Sequence, residues 1–185
     1  MLNESLVHEM SSLSGEEDGE WEGVNNVGRR ITSADIRELC LLEDPEKADR
    51  VRNRLHEVQD RTLGPVDAKV VRTILALWPQ CTPVGRARAL DVLAHLAGCD
   101  LESSGVEGVR EQCLHELGGA FSLFAHWLSY GPEAEMGDCV DLVTALAMAR
   151  PEFRAKAIEA LQKAKLRAGE SGVSELIENC LKELN

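Results

Sequence analysis

Six cysteines and five histidines hold most of the chemical potential of this sequence, and their spacing limits what they can do. Cys40, Cys81, Cys99, Cys113, Cys139 and Cys180 are separated by 41, 18, 14, 26 and 41 residues. No pair has the Cys-x-x-Cys spacing of a structural zinc or dithiol redox site. Cys40, Cys113, Cys139 and Cys180 fall on apolar stripes of helical period, where a thiol packs as a small hydrophobe. Cys81 and Cys99 stand near expected loops and read as exposed thiols. Among the histidines (His8, His56, His95, His115 and His126), His115-Glu116-Leu117-Gly118-Gly119 opens like a zinc-protease helix. Glycine takes the place of its second ligand, and the double glycine is expected to break the helix. Cys113 and His115, two apart on a helix, point about 160° away from each other and do not form a nucleophile–base pair. His95 and His126 flank apolar stripes on neighbouring elements, where a half-buried, hydrogen-bonded histidine is the expected outcome. With Tyr130 they mark where a catalytic or small-ligand site would lie if the chain had one. There is no Gly-x-Ser-x-Gly elbow, phosphate loop or dinucleotide fingerprint. The expectation is a protein without catalytic residues, metal or cofactor.

Charge points elsewhere. Thirty-two acidic against 20 basic side chains give a net charge of −12, and only 4% of residues are aromatic. That balance argues against binding nucleic acid or an anionic membrane, both of which require clustered Lys and Arg. Residues 1–28 contain Glu4, Glu9, Glu16, Glu17, Asp18, Glu20 and Glu22 and no Lys or Arg. Residues 11–28 lack apolar periodicity and read as a mobile acidic segment. Ahead of them, Leu2, Leu6, Met10 and Leu13 form one stripe of a short helix that needs a surface to lie on. Trp21, between Glu20 and Glu22, is a candidate anchor in this tail. A second acidic concentration spans 99–150: Asp100, Glu102, Glu107, Glu111, Glu116, Glu133, Glu135, Asp138 and Asp141 against Arg110 and Arg150. The bases gather on other stretches: Lys47, Arg50, Arg54 and Arg61, then Arg86 and Arg88, then Arg154, Lys156, Lys163, Lys165 and Arg167.

The elements that must position these groups read as helices throughout 29–185. Thr32 with Asp35 is a capping box before Ile36, Leu39 and Cys40. Asp44-Pro45 starts a helix whose inner face is Ala48, Val51, Leu55 and Val58. Gly64-Pro65 precedes Val66, Val70, Ile74, Leu77 and Trp78. Thr82-Pro83 precedes Ala89, Leu93 and Leu96, with Gly98 as the stop. Ser104 with Glu107 is a further expected capping box before Val109, Cys113 and Leu117. After Gly118-Gly119 the stripe is Phe121, Phe124, Trp127 and Leu128. Gly131-Pro132 leads Met136, Cys139, Val143 and Leu146. Arg150-Pro151 leads Phe153, Ala157, Leu161 and Ala164. Gly169 to Gly172 sets off Val173, Leu176, Ile177, Cys180, Leu181 and Leu184. The spacing predicts nine helices and no strand, an all-α body.

Two of these helices share a motif. Pro83-x-x-Arg86-Ala87-Arg88-Ala89-Leu90-Asp91-x-Leu93 recurs as Pro151-x-x-Arg154-Ala155-Lys156-Ala157-Ile158-Glu159-x-Leu161, at a constant offset of 68. The preceding helices match at the same offset, Ile74 with Leu142, Leu75 with Val143 and Trp78 with Leu146. On these residues the chain resembles HEAT-like (armadillo-type) α-solenoids over about 32–184, stacked antiparallel helix pairs burying a continuous core. An irregular helical bundle is the alternative arrangement. The resemblance implies a concave surface lined by second helices, hence a mildly basic groove of Arg50, Arg54, Arg86, Arg88, Arg154 and Lys156. It also implies a surface for another protein rather than catalysis.

The expected function is therefore a non-enzymatic protein-binding module, an adaptor or an immunity-type inhibitor of a basic partner. Its candidate surfaces are an acidic face (Glu107, Glu111, Glu133 and Asp138), the basic groove and Trp21. The alternative places a small ligand or a reaction near His95, His126 and Tyr130. Nucleic-acid binding through Arg86, Arg88, Arg154 and Lys156 is disfavoured by the net charge and scarce aromatics. No apolar run approaches the about 20 residues of a membrane span, the N-terminus lacks the features of a secretory signal, and six unpaired cysteines suit a reducing compartment. A cytoplasmic location is expected.

Overall fold

The computed structural model describes residues 22–24, 30–56, 66–98, 108–169 and 171–185. Leu2, Leu6, Met10, Leu13 and Trp21, most of the acidic tail, Val58, Cys99, Ser104 and Glu107 lie outside them. The described chain opens with a two-stranded antiparallel ribbon, β1 (Glu22–Val24) and β2 (Arg30–Thr32), with Gly23 opposite Ile31. Sequence periodicity gave no sign of this ribbon. Gly23 lies so close to Val66 that a Cβ would approach its Cγ2 to 2.5 Å, and Ile31 is buried beside it in the core.

Nine α-helices follow among the described residues: α1 (Ser33–Leu41), α2 (Pro45–His56), α3 (Asp67–Leu77), α4 (Pro83–Gly98), α5 (Val109–Gly119), α6 (Phe121–Tyr130), α7 (Met136–Ala149), α8 (Arg154–Ala168) and α9 (Gly172–Leu184). Single 3-10 turns at Trp78–Gln80, Glu133–Glu135 and Pro151–Phe153 join α3 to α4, α6 to α7 and α7 to α8. The body is all-α. No helix of the described residues is long and apolar enough to cross a membrane.

Local chemistry accounts for most helix starts. The Thr32 amide donates to Asp35 Oδ2 at 2.9 Å, and the Asp35 amide donates to Thr32 Oγ1 at 3.3 Å, closing the expected box. Asp44 Oδ1 accepts from the Glu46 and Lys47 amides at 3.0 and 3.2 Å. Thr82 Oγ1 accepts from the Gly85 amide at 2.9 Å. Such caps each stabilise a helix by about 1 kcal/mol. The N-cap of α5 is Gly108, at φ 91°. A left-handed residue cannot continue a helix backwards, so α5 begins at Val109. The double glycine closes α5 as expected: the helix runs through Gly118, ends at Gly119, and α6 begins at Phe121. A Cβ on Gly118 would stand 3.1 Å from Phe153, whose ring stacks on Phe121 at 4.4 Å. Glycine at 118 also makes room for this aromatic contact.

The apolar faces read from the sequence converge on one core containing Ile36, Leu39, Ile74, Leu90, Leu93, Leu114, Leu117, Phe121, Phe124 and Leu142, all fully buried. α1 packs on α3, α3 on α5 and α7 on α9, while α2 packs on α4 and α6 on α8. The most extensive contact, between α4 and α7, passes over the α5–α6 pair. The two helices of most similar surroundings in the sequence repeat therefore occupy different places. α4 is central, touching α1, α2 and α7, whereas α8 lies against α6, α7 and α9.

Candidate functional site

Because α4 lies against both α2 and α7, three pairs of charged residues meet on one surface: Asp49 and Arg52, Arg88 and Asp91, Asp138 and Asp141. Each pair is spaced i,i+3, which sets both members on the same helix face. Arg52 reaches across from α2, its Nη1 2.8 Å from Asp91 Oδ2, with Nη2 3.8 Å from Asp49 Oδ1. Arg88 answers from α4, its Nε 2.5 Å from Asp49 Oδ1. The two guanidiniums are thus paired with Asp49 and Asp91, while Asp138 and Asp141 add two further carboxyls to the same surface. Burial, followed by the charges of Asp91 and Asp141, raises the Asp138 carboxyl to about 6, although Arg88 and Arg52 pull the other way. Burial pushes Asp141 up as well. A carboxylate held so far above its usual range binds a proton readily, and a cation brought by another molecule would take the proton's place.

Beside this surface, toward the start of α4, Arg86 is laid over two indoles. Its guanidinium carbon lies 4.6 Å from the Trp127 ring centre and 5.9 Å from that of Trp78, and Nη2 donates to the Cys81 carbonyl at 2.8 Å. Trp127 Nε1 donates to Glu135 Oε2 at 2.6 Å. Glu135 is buried, which raises its pKa against the pull of Trp127 and Arg86. Trp78 closes the cluster edge-on to Trp127 and Phe124 at 5.7 and 6.1 Å. Trp127 is thus half-buried structure, and Arg86 is committed to these rings rather than offered to a ligand.

The residues singled out in the sequence are distributed as follows. Of the acidic face, Asp138 is in the α4–α7 surface and Glu133 is exposed just before it. Glu111 stands elsewhere, 2.9 Å from Arg150 at the far end of α7. Asp138 and Arg150 are 12 positions apart, about 18 Å along the helix. Of the basic groove, Arg88 sits among the carboxylates, and Arg54 pairs with Asp35 and Glu38 of α1 at 3.2 and 3.5 Å. Arg50, Arg154 and Lys156 are exposed and form no ion pair with the described residues. The structure therefore joins part of the acidic face to part of the basic groove and leaves the second half of that groove, on α8, separate. Asp49 and Arg52 were missed. The signal was available in the i,i+3 alternation of sign on two adjacent helices, Asp49/Arg52 and Arg88/Asp91, which can neutralise each other only when paired.

The remaining chemical candidates do not form a second cluster with this surface. His126 lies beside Tyr130, ring centres 4.9 Å apart, but Tyr130 is 67% exposed, so the pair lies at the surface. Cys40, Cys113, Cys139 and Cys180 are buried as expected. Cys81 is buried too, contrary to its reading as an exposed thiol, because the turn from α3 into α4 folds under the end of α1. Comparison with protein families, curated proteins and solved structures found no match to this chain.

Proposed function

We propose that this chain is a non-enzymatic protein-binding module, a HEAT-like helical body that engages a basic protein as an adaptor or immunity-type inhibitor does. Its contact surface is the carboxylate-rich α4–α7 face around Asp91, Asp138 and Asp141, with Glu133 at the rim. One observation supports this reading above others: Arg52 and Arg88 are paired there with Asp49 and Asp91, and Asp138 beside them is left at about 6. A Lys or Arg of a partner inserted beside Asp138 relieves repulsion already present in the free protein, so association gains more than an exposed pair would give.

The test is affinity capture from cytosol with three forms of the full chain. Asp138→Lys with Asp141→Lys reverses the acidic surface, and Arg154→Glu with Lys156→Glu reverses the exposed basic helix. The proposal predicts one dominant basic protein bound by the wild type and by the second variant and lost from the first. Capture that survives the first variant and fails with the second moves the interface to α8 and overturns the assignment.

A further inference from the structure

Among the described residues, α8 is the most basic element of an acidic chain: it contains five Lys or Arg against Glu159 alone. Lys163 is paired with Glu159 at 2.7 Å, and Lys165 with Glu178 at 2.9 Å. Arg154 and Lys156 are exposed and have no carboxylate partner among the described residues. Arg167 donates to backbone instead, from Nη1 to the Leu128 carbonyl at 3.1 Å and from Nη2 to the Gly131 carbonyl at 2.6 Å. It thereby ties the end of α8 to the end of α6 without an acid to balance its charge. Leu166 and Tyr130, which flank these contacts along the two helices, are 88% and 67% exposed, more than any other large apolar side chain described. Cations without carboxylates beside exposed apolar side chains suit a segment that brings both acids and aliphatic residues.

We infer that the α6–α8 face is the docking surface for residues 1–21 of the same chain. That segment lies outside the described residues, and its sequence carries the complementary chemistry. It contains Glu4, Glu9, Glu16, Glu17, Asp18 and Glu20 with no Lys or Arg, and Leu2, Leu6, Met10 and Leu13 at helical spacing. Six acids thus face a helix on which bases exceed acids by four. The aliphatic stripe covers Leu166 and Tyr130. Reach is sufficient: 21 residues span up to about 70 Å when extended, and a compact body of this length is about 40 Å across. Tethering supplies affinity that so small a surface lacks. A segment joined to its site is held at a local concentration on the order of millimolar, so contacts too weak to recruit a separate peptide still fill the face. Other bases of the body are already engaged, Arg52, Arg54, Arg88 and Arg150 by carboxylates and Arg86 by Trp127. The carboxylate-rich α4–α7 surface repels the same segment and stays open to a basic partner.

The experiment is zero-length carbodiimide cross-linking of carboxylates to lysines in the full-length chain, mapped by mass spectrometry on equal parts of unlabelled and isotope-labelled protein. Lys156 and Lys163 report on α8, and Lys47 and Lys69 on the rest of the body. A link between Glu159 and Lys163 shows that the reagent has reacted. The expected result is links from acids of residues 1–21 to Lys156 and Lys163 within one isotopic form. They should exceed links to Lys47 and Lys69 by about fivefold and fall about fivefold in molar salt. Arg154→Glu with Leu166→Glu changes two exposed side chains and leaves every lysine in place. Its helical circular dichroism should match the wild type, while its α8 links drop to the level of Lys47. Several outcomes overturn the inference: no α8 links although Glu159 joins Lys163, links spread evenly over the lysines, or α8 links that ignore the variant. Links mainly between labelled and unlabelled chains overturn it too, because the segment of a second copy would then occupy the face.

Discussion

α4 and α8 begin with the same motif and reach different ends. After its proline the first copy sets Gly85, Arg86, Arg88 and Asp91 in α4; the second sets Phe153 in the 3-10 turn ahead of α8 and Arg154, Lys156 and Glu159 within it. Gly85 lets α4 close directly on the α1 backbone, whereas Phe153 fills the same step with a ring stacked on Phe121. Arg86 covers two indoles, while Arg154 is exposed. Arg88 is held by Asp49, while Lys156 has no ion pair among the described residues. Asp91 takes a cation from another helix at 2.8 Å, while Glu159 takes Lys163 from its own at 2.7 Å. The motif sets where each side chain stands on its helix; the neighbouring helices decide whether it becomes core, ion pair or free surface.

The largest expected effect comes from the position where the two copies differ most. Gly85→Ala drives a Cβ into the Cys40 carbonyl, backbone against backbone, and should lower stability by about 3 kcal/mol in urea unfolding. Phe153→Ala, at the matching position, loses a half-buried stack and should cost about 2 kcal/mol. Equal, small losses would mean that the α1–α4 clamp is no tighter than the aromatic step.

Charge reversal gives the next contrast. Arg88→Glu places a fifth acid among Asp49, Asp91, Asp138 and Asp141 and should cost about 1 to 2 kcal/mol, while Lys156→Glu should change stability by less than about 0.5 kcal/mol. Loss of the contrast in 1 M salt, where exposed charges are screened, would show that it is electrostatic.

The smallest effect has a definite pH signature. Asp138 has a folded pKa of about 6 against an ordinary 3.8. The folded chain therefore holds its proton more tightly than the unfolded chain. Below about pH 3 both states are protonated and Asp138 costs nothing; as pH rises toward 6 the unfolded state ionises first, and stability falls. Above pH 6 the loss is constant. With solvent screening of this half-buried group allowed for, Asp138→Asn should stabilise by about 1 kcal/mol at pH 7 and by nothing below about pH 3.

Helix number, helix class and nearly all inner faces were legible because they depend on periodicity and on local caps such as Thr32–Asp35 and Asp44. What escaped was set by tertiary placement. The ribbon of Glu22–Val24 depends on Gly23 meeting Val66, a contact between segments far apart in the sequence. Cys81 is buried because α1 lies over the turn that contains it. The acidic face and basic groove were drawn as separate surfaces from linear charge clusters, yet α4 against α7 mixes Arg88 with Asp138 and leaves Glu111 at the other end of the helix. Linear clustering reports the sign of a stretch and omits which helix lies opposite.

The most direct test of this account is an NMR titration of the side-chain carboxyl of Asp138 in the wild-type protein and in Arg88→Ala. The account predicts a midpoint near 6 in the wild type and a higher one once Arg88 is removed. A midpoint near 4 that ignores Arg88 would contradict it, because Asp138 would then be an ordinary solvated acid and the α4–α7 surface would hold no uncompensated charge for a basic partner to relieve.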